Sequence, residues 1–282
     1  MKNVKIFAFA DEASAQMDEQ VAAMLRNSLN GLEIRGVDGE NVSKITLEKA
    51  KEVRKKLDDR GLAVWSVGSP IGKIGITDDF EAHKEVFRHT LEVADILGAK
   101  QMRMFSFYPP KGENPDGYEA QVIDRLGQRV SLAAGSGGSL GHVNEKGIFG
   151  DTAERCLRIH QQLPQLKAVF DPANFVQCGV DTLHAWDLLN SYVHYMHIKD
   201  ARPDGKVVPA GCGAGNVKEL VRRYLAQGGS VFTMEPHLTV FKGLAELEKP
   251  GETASVPAFT YATADAAFDA ACAAFKTILE EL

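Results

Sequence analysis

Three residues that can bind a metal ion close three successive apolar segments of the sequence: Asp171 in VFDPANF, His197 in HYMHIKD and Glu235 in FTMEPHL. Carboxylate oxygens and an imidazole nitrogen together suit Mn²⁺, Mg²⁺, Co²⁺ or Zn²⁺. Alone, Asp171 before Pro172 has an ordinary explanation as a helix cap. Together the three residues predict a divalent metal site, provided that their segments end at the same edge of one sheet.

Lys199 adds a cation to this group. Tyr195, His197 and Lys199 share one face of their segment, because side chains two positions apart in a strand point the same way. Burying an imidazole and an amine on one face is costly unless they have partners. We therefore predict that Lys199 has a functional role and acts in catalysis. A buried ion pair between Lys199 and Glu235 is the alternative.

Polar residues also lie near the ends of earlier apolar segments, in LEIRG, SVGSPIGK and MRMFSF. They could hydrogen-bond the hydroxyl groups of a sugar, or they could pair with each other as ions inside the protein. The candidates for substrate binding are Glu33, Arg35, Ser66, Lys73, and either Arg103 or Ser106.

Two loops near the C-terminus could contribute to the same site. The glycine-rich loop 209–220, PAGCGAGNVKEL, could present backbone amides to a phosphate, or it could be a flexible connection. Segment 237–262 follows Glu235 and contains its own aromatic residues and a Pro-Gly break. Its length is typical of an active-site lid, and packing against a second subunit is the alternative.

The elements that position these residues alternate between strand and helix. Short β-rich runs predict strands at 4–10, 31–37, 62–68, 101–107, 138–144, 167–171, 192–200 and 230–236. Amphipathic runs predict helices at about 16–29, 45–59, 79–98, 116–134, 151–163, 181–190, 216–227 and 263–281. The helix at 151–163 has a start signal, since Asp151 can cap it and Glu154 can complete a capping box.

Repeated βαβ units require parallel strands with helices outside. The whole chain, residues 1–282, is therefore predicted to be one α/β domain, a (β/α)8 TIM barrel. A doubly wound open sheet fits less well, because no strand–GxGxxG–helix turn occurs early in the chain. Barrels keep their active sites at the carboxyl ends of the strands, where the candidate residues lie.

Composition and charge exclude several classes of protein. The chain has 282 residues, 44% hydrophobic and 25% charged, with a formal net charge of −6. It has no block of Lys and Arg, so neither nucleic acid nor a membrane is an expected partner. Its apolar runs are too short for a membrane span, and its N-terminus lacks signal-peptide features. The four cysteines are scattered without a CxxC pair, which indicates a reducing, cytoplasmic compartment.

The motifs FDPANFVQCG, HIKDA and EPHL, preceded by NEKGIFGDT, resemble those of the sugar phosphate isomerase/epimerase superfamily of xylose-isomerase-like barrels. That superfamily includes inosose dehydratases, ketose 3-epimerases and hydroxypyruvate isomerases. The resemblance covers essentially the whole chain and is strongest from 138 to 240. It implies a TIM barrel that acts on a small carbohydrate. Such barrels often pair, so a homodimer is the expected assembly.

The resemblance also implies one divalent cation held by Glu, Asp, His and Glu from strands five to eight. Asp171, His197 and Glu235 match three of these positions. Several epimerases have a histidine where this chain has Asn174. The superfamily also includes, more distantly, endonuclease IV, which needs extra histidines for a multi-zinc cluster. Those histidines are absent here, so DNA repair is not expected. The candidate substrate-binding residues from these motifs are His142, Asn174 and Arg202.

The fourth ligand position departs from the family pattern. The family's H-E-N-E-K-G reads here as residues 142–147, HVNEKG, with Val143 at the ligand position. Glu145, two residues later, could replace the ligand or act as an acid, although it starts about 6–7 Å farther along the strand. The alternatives are a weaker three-ligand site completed by water, and loss of the metal.

Three functions are consistent with these residues. The first is a metal-dependent isomerase or epimerase of a small sugar, keto-polyol or sugar phosphate, with Glu235 as the base. The second is a lyase on the same scaffold, such as an inosose-type dehydratase, which begins with the same proton abstraction. The third is a sugar-binding or subunit-pairing barrel that has lost catalysis, which Val143 favours and the retained charged residues oppose.

Overall fold

Eight parallel strands close into a barrel in the computed structural model, which describes residues 4–239 and 261–282. Consecutive strands are neighbours all the way round, and the last strand pairs with the first. The strands are β1 (Lys5–Ala8), β2 (Gly31–Ile34), β3 (Ala63–Gly68), β4 (Gln101–Met104), β5 (Ser139–Val143), β6 (Lys167–Phe170), β7 (Val193–Ile198) and β8 (Val231–Met234).

Helices connect the strands on the outside of the barrel. They are α1 (Met17–Arg26), α2 (Leu47–Asp58), α3 (Phe80–Leu97), α4 (Glu119–Leu132), α5 (Ala153–Gln162), α6 (Pro172–Gln177), α7 (Thr182–Leu189), α8 (Val217–Ala226) and α9 (Ala264–Glu280). The predicted (β/α)8 barrel is confirmed, and the open doubly wound sheet is wrong because β1 and β8 are hydrogen-bonded.

Some short elements lie outside the predicted pattern. The helix α6 follows β6 directly, and two small antiparallel hairpins pair Gly36–Val37 with Glu40–Asn41 and Asp200–Ala201 with Val207–Val208. The predicted cap of α5 is wrong by one residue. Thr152 Oγ1 accepts the backbone N–H of Arg155, whereas the side chain of Asp151 pairs with the Arg155 guanidinium.

The alternation of strand side chains divides the core into two parts. Aliphatic and aromatic side chains pack the barrel against its helices in a large outer cluster. A smaller cluster fills the barrel beneath the carboxyl ends of the strands. Its buried members are Phe105, Val143, Ile148, Val169 and Tyr195. Buried polar side chains lie beside this apolar plug, and its member Tyr195 donates a hydrogen bond to Glu33.

Membrane insertion has no candidate segment in the part of the chain that the structure describes. None of its helices combines the length and the apolar character that crossing a bilayer requires.

Candidate active site

Asp171, His197 and Glu235 converge at the carboxyl ends of β6, β7 and β8. His197 Nδ1 lies 3.1 Å from Glu235 Oε2 and 3.9 Å from Asp171 Oδ2. One ligand atom from each residue falls within 4.8 Å of the other two, and all three side chains are buried. The strand ends therefore bring one imidazole and two carboxylates together, since Asp171 and Glu235 directly follow β6 and β8 and His197 is the next-to-last residue of β7.

His197 is held from below by Glu33 on β2. Glu33 Oε2 accepts from His197 Nε2 at 3.1 Å, and Glu33 Oε1 accepts from Tyr195 Oη at 2.9 Å and from Ser66 Oγ at 3.3 Å. The Nε atom of Arg103 lies 3.7 Å from the same carboxylate. Burial opposes ionisation of Glu33, but His197 and Arg103 hold its pKa below the ordinary value. Glu33 thus fixes the ring so that Nδ1 faces Asp171 and Glu235.

The imidazole lies between two carboxylates. Burial acts to lower the pKa of His197, but Glu33 and Glu235 outweigh it and raise that pKa to about 9. Burial acts to raise the pKa of Glu235, but the positive charges of Lys199 and His197 outweigh it and hold that pKa well below its usual range. This site therefore favours charged groups although it excludes water.

Asp171 serves two purposes with its two oxygens. Oδ1 accepts the backbone N–H of Asn174 at 2.9 Å and so caps α6. Oδ2 faces the site and lies 3.1 Å from Lys199 Nζ. Asn174 is itself held by Asn144, whose backbone carbonyl accepts from Asn174 Nδ2 at 2.8 Å. Burial raises the pKa of Asp171 to about 6 even though Lys199 is adjacent.

Lys199 lies between the two carboxylates of the site. Its Nζ is 3.1 Å from Asp171 Oδ2 and 3.2 Å from Glu235 Oε2. Burial opposes the charge, but both carboxylates raise the pKa of Lys199 above its ordinary value. The predicted ion pair of Lys199 with Glu235 is present, and it includes Asp171 as well.

A second polar group lies on the other side of Glu235. Arg35 Nη1 is 3.4 Å from Glu235 Oε1, and Arg35 also pairs with Asp11 at 2.8 Å and with Glu12 at 3.0 Å. His237 Nε2 lies 3.3 Å from Glu12 Oε1 and 3.6 Å from Glu235 Oε1. Burial raises the pKa of Glu12 to about 8, although Arg35 opposes the shift.

Asp11 and Glu12 are site residues that the sequence reasoning missed. They lie in a short 3-10 helix, Ala10–Glu12, that begins two residues after β1, in the stretch FADEA. The rule applied to the later strands, which looks for carboxylates at the carboxyl end of an apolar run, would have found them here too.

The position at which the family resemblance implies a fourth ligand is apolar in the structure. Val143 is 2% exposed and pairs in register with Val169, within the apolar plug. Glu145 does not join the three converging residues. Its Oε2 lies 3.5 Å from Lys73 Nζ, and that ammonium lies 4.5 Å from the centre of the Phe105 ring. Glu145 and Lys73 therefore form a separate ion pair at the mouth of the barrel.

The remaining predicted residues occupy different depths. Arg103 is buried, and its Nη1 donates to the carbonyl of Ser69 at 2.9 Å. His142 points outward, where its Nε2 meets Ser106 Oγ at 2.9 Å and its ring lies against His160 of α5. Arg202 is exposed on the 200–208 hairpin. The structure thus brings neither His142 nor Arg202 to the converging residues.

The glycine-rich loop already holds an anion of this chain. The buried carboxylate of Asp200 accepts the backbone N–H groups of Gly211, Gly213 and Gly215 at 2.9–3.0 Å, and that of Ala201 at 2.8 Å. A Cβ at Gly213 would overlap Asp200 Oδ1, which explains the glycine there. The predicted phosphate cradle is therefore occupied by Asp200.

The predicted lid, 237–262, falls largely on residues 240–260, which lie outside the described residues. Only its first three residues and its last two belong to the part of the chain that the structure covers.

Comparison with known proteins identifies the family and the fold of the chain. The family model described as xylose isomerase-like TIM barrel matches residues 21–249. A search of curated proteins gave no significant sequence match. Among solved structures, L-ribulose 3-epimerase superposes with a TM-score of 0.74 at 16% identity, covering 100% of this chain and 95% of that one.

Two further solved structures are similar over nearly their full lengths. The IOLI protein with a bound zinc atom gives a TM-score of 0.73 at 16% identity, covering 99% of this chain and 98% of that one. AsbF from Bacillus anthracis, described as a probable 3-DHS dehydratase, gives 0.73 at 14% identity, covering 97% and 98%. At these identities the similarity establishes the shared fold.

Proposed function

The chain belongs to the xylose isomerase-like TIM-barrel family, and from that premise we propose that it is a divalent-metal-dependent isomerase or epimerase of a small carbohydrate. The proposed reaction is removal and return of a proton on a carbon next to a carbonyl group. One observation carries the proposal: Asp171, His197 and Glu235 converge within 4.8 Å at the mouth of the barrel.

The three converging residues fit a divalent cation. His197 Nδ1 and Asp171 Oδ2 are buried, and neither atom makes a well-directed hydrogen bond within the described residues. The groups near them there are oppositely charged side chains. Glu33 accepts a hydrogen bond from His197 Nε2. The other ring nitrogen, Nδ1, is therefore the one that can bind a metal ion, once Nδ1 has lost its proton. Three protein ligands and an open position are the usual arrangement of a catalytic metal site.

A cation held by Asp171, His197 and Glu235 would supply a Lewis acid that polarises a carbonyl oxygen of the substrate. Glu235 would take the proton from the adjacent carbon, since its low pKa keeps the carboxylate ionised. Arg35, 3.4 Å from Glu235 Oε1, orients that carboxylate. Lys199 would donate a hydrogen bond to the developing negative charge. Glu145, whose Oε2 lies 3.5 Å from Lys73 Nζ, would be the second group to exchange a proton with the substrate.

The polar walls suit a substrate rich in hydroxyl groups. Arg35 lies 3.4 Å from Glu235, the backbone N–H of Asn174 donates to Asp171, and Lys73 pairs with Glu145 at the mouth of the barrel. The backbone amides that would receive a phosphate are satisfied by Asp200. We therefore expect an unphosphorylated sugar or keto-polyol rather than a sugar phosphate.

A lyase is the second candidate, because loss of water from the neighbouring carbon starts with the same proton abstraction. Its support is the full-length similarity to AsbF, described as a dehydratase, which equals the similarity to the IOLI protein in TM-score. A barrel without catalysis is the third candidate, and its support is Val143 together with the ammonium of Lys199 between the two carboxylates.

Deuterium exchange separates these functions. Wild type and E235Q are incubated in D₂O with Mn²⁺ and a panel of unphosphorylated ketopentoses, ketohexoses and keto-inositols, and products are followed by NMR. Deuterium at the carbon next to the carbonyl, with a new epimer or isomer and no signal from E235Q, supports the proposal. Water loss from a panel member supports the lyase. Absence of both reactions in metal-loaded protein contradicts catalysis on this class of substrate.

A further inference from the structure

Arg129 on α4 is a buried cation far from the residues discussed so far. The residue is 0% exposed, and its Nε, Nη1 and Nη2 atoms all lack a hydrogen-bond acceptor within residues 4–239 and 261–282. The guanidinium carbon lies 4.5 Å from the centre of the Phe107 ring and 5.3 Å from that of Phe80. Aromatic faces stabilise the charge, but the N–H bonds point in the guanidinium plane and remain without acceptors.

Arg125, one turn earlier on α4, places a second cation against the same rings. Its guanidinium carbon lies 4.7 Å from the centre of Phe80 and 5.8 Å from that of Phe107, and its Nη1 is buried without an acceptor in the described chain. Within that same part of the molecule, no carboxylate comes within ion-pair distance of either arginine. Two like charges, the buried Arg129 and the half-buried Arg125, therefore lie against the same rings without a counter-charge in the described residues.

The nearby polar groups do not supply the missing charge. Lys84 Nζ lies 5.4 Å from the Phe80 ring centre, and its carboxylate partner, Glu81, is 2.6 Å from that ammonium. His83 Nε2 accepts the backbone N–H of Gly72 at 3.0 Å. Burial, with a further contribution from Arg129, lowers the pKa of His83 to about 4, so its ring is neutral and adds no anion.

A buried arginine cannot resolve this situation by losing its proton, since guanidinium stays charged in proteins. Burying such a charge without a partner is among the most costly arrangements in a folded chain. A neutral acceptor would satisfy the in-plane N–H groups, but only an anion that fits in an enclosed place would also balance the charge.

We propose that Arg129 and Arg125 bind a small monoanion of halide size, held in the guanidinium planes between α3, α4 and the end of β4. Full burial of Arg129 favours a monatomic ion over a tetrahedral oxyanion, which is larger and needs more donors. A spherical anion also accepts N–H groups from several directions without a fixed geometry.

The bound anion would stabilise a strained part of the barrel rim. Phe107 has a φ of 67°, a left-handed conformation that is costly for a bulky residue. Its N–H donates to the carbonyl of Gly72 at 3.0 Å, and its carbonyl accepts the N–H of Phe149 at 2.9 Å. Phe107 thus joins the loops after β3, β4 and β5, and its ring is the surface on which both guanidiniums rest.

Two measurements test the proposal. Crystals of wild type grown or soaked in sodium bromide should show an anomalous peak at hydrogen-bond distance from the Arg129 guanidinium. In solution, the Tm of wild type should rise with chloride at constant ionic strength, with sodium isethionate as the balancing salt. A tenfold rise in chloride above its dissociation constant should raise Tm by about 2–4 °C.

R129M should lose this chloride dependence. R88M, which removes an exposed arginine of α3, is the matched control and should keep it. The proposal is overturned if R129M and wild type respond equally to chloride, or if bromide occupies surface sites of wild type and leaves Arg129 without a peak. A shift that depends on Arg129 with sulfate or phosphate but not with chloride would overturn the assignment to a halide-sized ion. If R129M does not fold, the bromide measurement on wild type decides alone.

Discussion

Lys199 Nζ lies 3.2 Å from Glu235 Oε2, on the side of that carboxylate that faces His197. The same ammonium lies 3.1 Å from Asp171 Oδ2. A positive charge of this chain therefore stands beside two of the three residues that fit a divalent cation. Lys199 balances the charge of these two carboxylates, and it would repel a cation bound by the same residues.

Removing this ammonium should strengthen metal binding. We expect K199M to bind Mn²⁺ at least about tenfold more tightly than wild type. In a partly buried site, a like charge about 4 Å from the metal ion opposes binding by more than the free energy of a tenfold change in affinity. Metal-free K199M should be less stable by on the order of 3 kcal/mol, since two buried carboxylates lose their partner. Titration calorimetry and denaturant unfolding measure the two effects.

Lys73→Met is the matched control for K199M. Lys73 is also a buried ammonium at the barrel mouth, but its ion pair is with Glu145 rather than with the converging residues. Unchanged or weaker Mn²⁺ binding by K199M, or an equal gain in K73M, would show that Lys199 does not compete with the cation.

Restoring a carboxylate at position 143 should also increase metal binding. Val143→Glu places an acid in the apolar plug, so the metal-free variant should lose on the order of 3 kcal/mol of stability. With Mn²⁺ or Zn²⁺ we expect that loss to be recovered, and the purified variant to retain about one equivalent of metal, as a four-ligand site does. Elemental analysis of wild type and variant in parallel checks this.

Val169→Glu supplies the comparison for V143E. Val169 pairs in register with Val143 and belongs to the same apolar cluster, so the two variants bury the same charge. V169E should lose stability without gaining metal. Equal metal content in the two variants, or an empty V143E, would mean that position 143 is not directed at the metal site.

The barrel could be predicted from the sequence because each of its strands and long helices has a local pattern. Period two along the strands placed Tyr195, His197 and Lys199 on one face, and the strand ends brought Asp171, His197 and Glu235 together. The same alternation implies that His142 faces outward, since its neighbour Val143 faces the barrel interior. The prediction that His142 binds substrate rests on the family motif and not on this alternation.

Other features depend on contacts between distant segments. Asp200 captures the amides of Gly211, Gly213 and Gly215, and a glycine-rich stretch alone does not reveal which anion it surrounds. The pairing of Glu145 with Lys73 depends on where two loops meet above the barrel. Such pairings have no sequence periodicity, so they become visible only in three dimensions.

Glu33 should control metal binding without touching the metal. Its Oε2 accepts from His197 Nε2 at 3.1 Å, and replacing it by glutamine removes the charge that orients and polarises the ring. We expect E33Q to bind Mn²⁺ about 10–100-fold more weakly than wild type. The His197 ring should also titrate at lower pH in metal-free E33Q, because Glu33 is one of the carboxylates that raise its pKa.

Ser66→Ala is the control for E33Q. Ser66 contacts the same carboxylate at 3.3 Å but leaves its charge in place, so S66A should bind Mn²⁺ much as wild type does. Calorimetry gives the affinities, and NMR of the imidazole protons gives the titration. Wild-type affinity in E33Q would exclude a positioning role for Glu33.

Glu12 should make the stability of the metal-free protein depend on pH. Burial raises the pKa of Glu12 to about 8, so the folded chain keeps a proton that the unfolded chain releases near pH 4.5. A raised pKa of this kind contributes stability that is fully present below about pH 4.5 and is lost as the pH rises to about 8.

E12Q keeps the shape of the protonated acid and cannot ionise, so it should remove this part of the decline in stability. At pH 8.5 we expect E12Q to exceed wild type by more than about 1.4 kcal/mol, the value of one pKa unit. Denaturant unfolding at a series of pH values between 5 and 9 (about one unit apart) measures the difference, with Glu81→Gln on the surface of α3 as the control. A constant difference between E12Q and wild type across this range would mean that Glu12 does not bind a proton on folding.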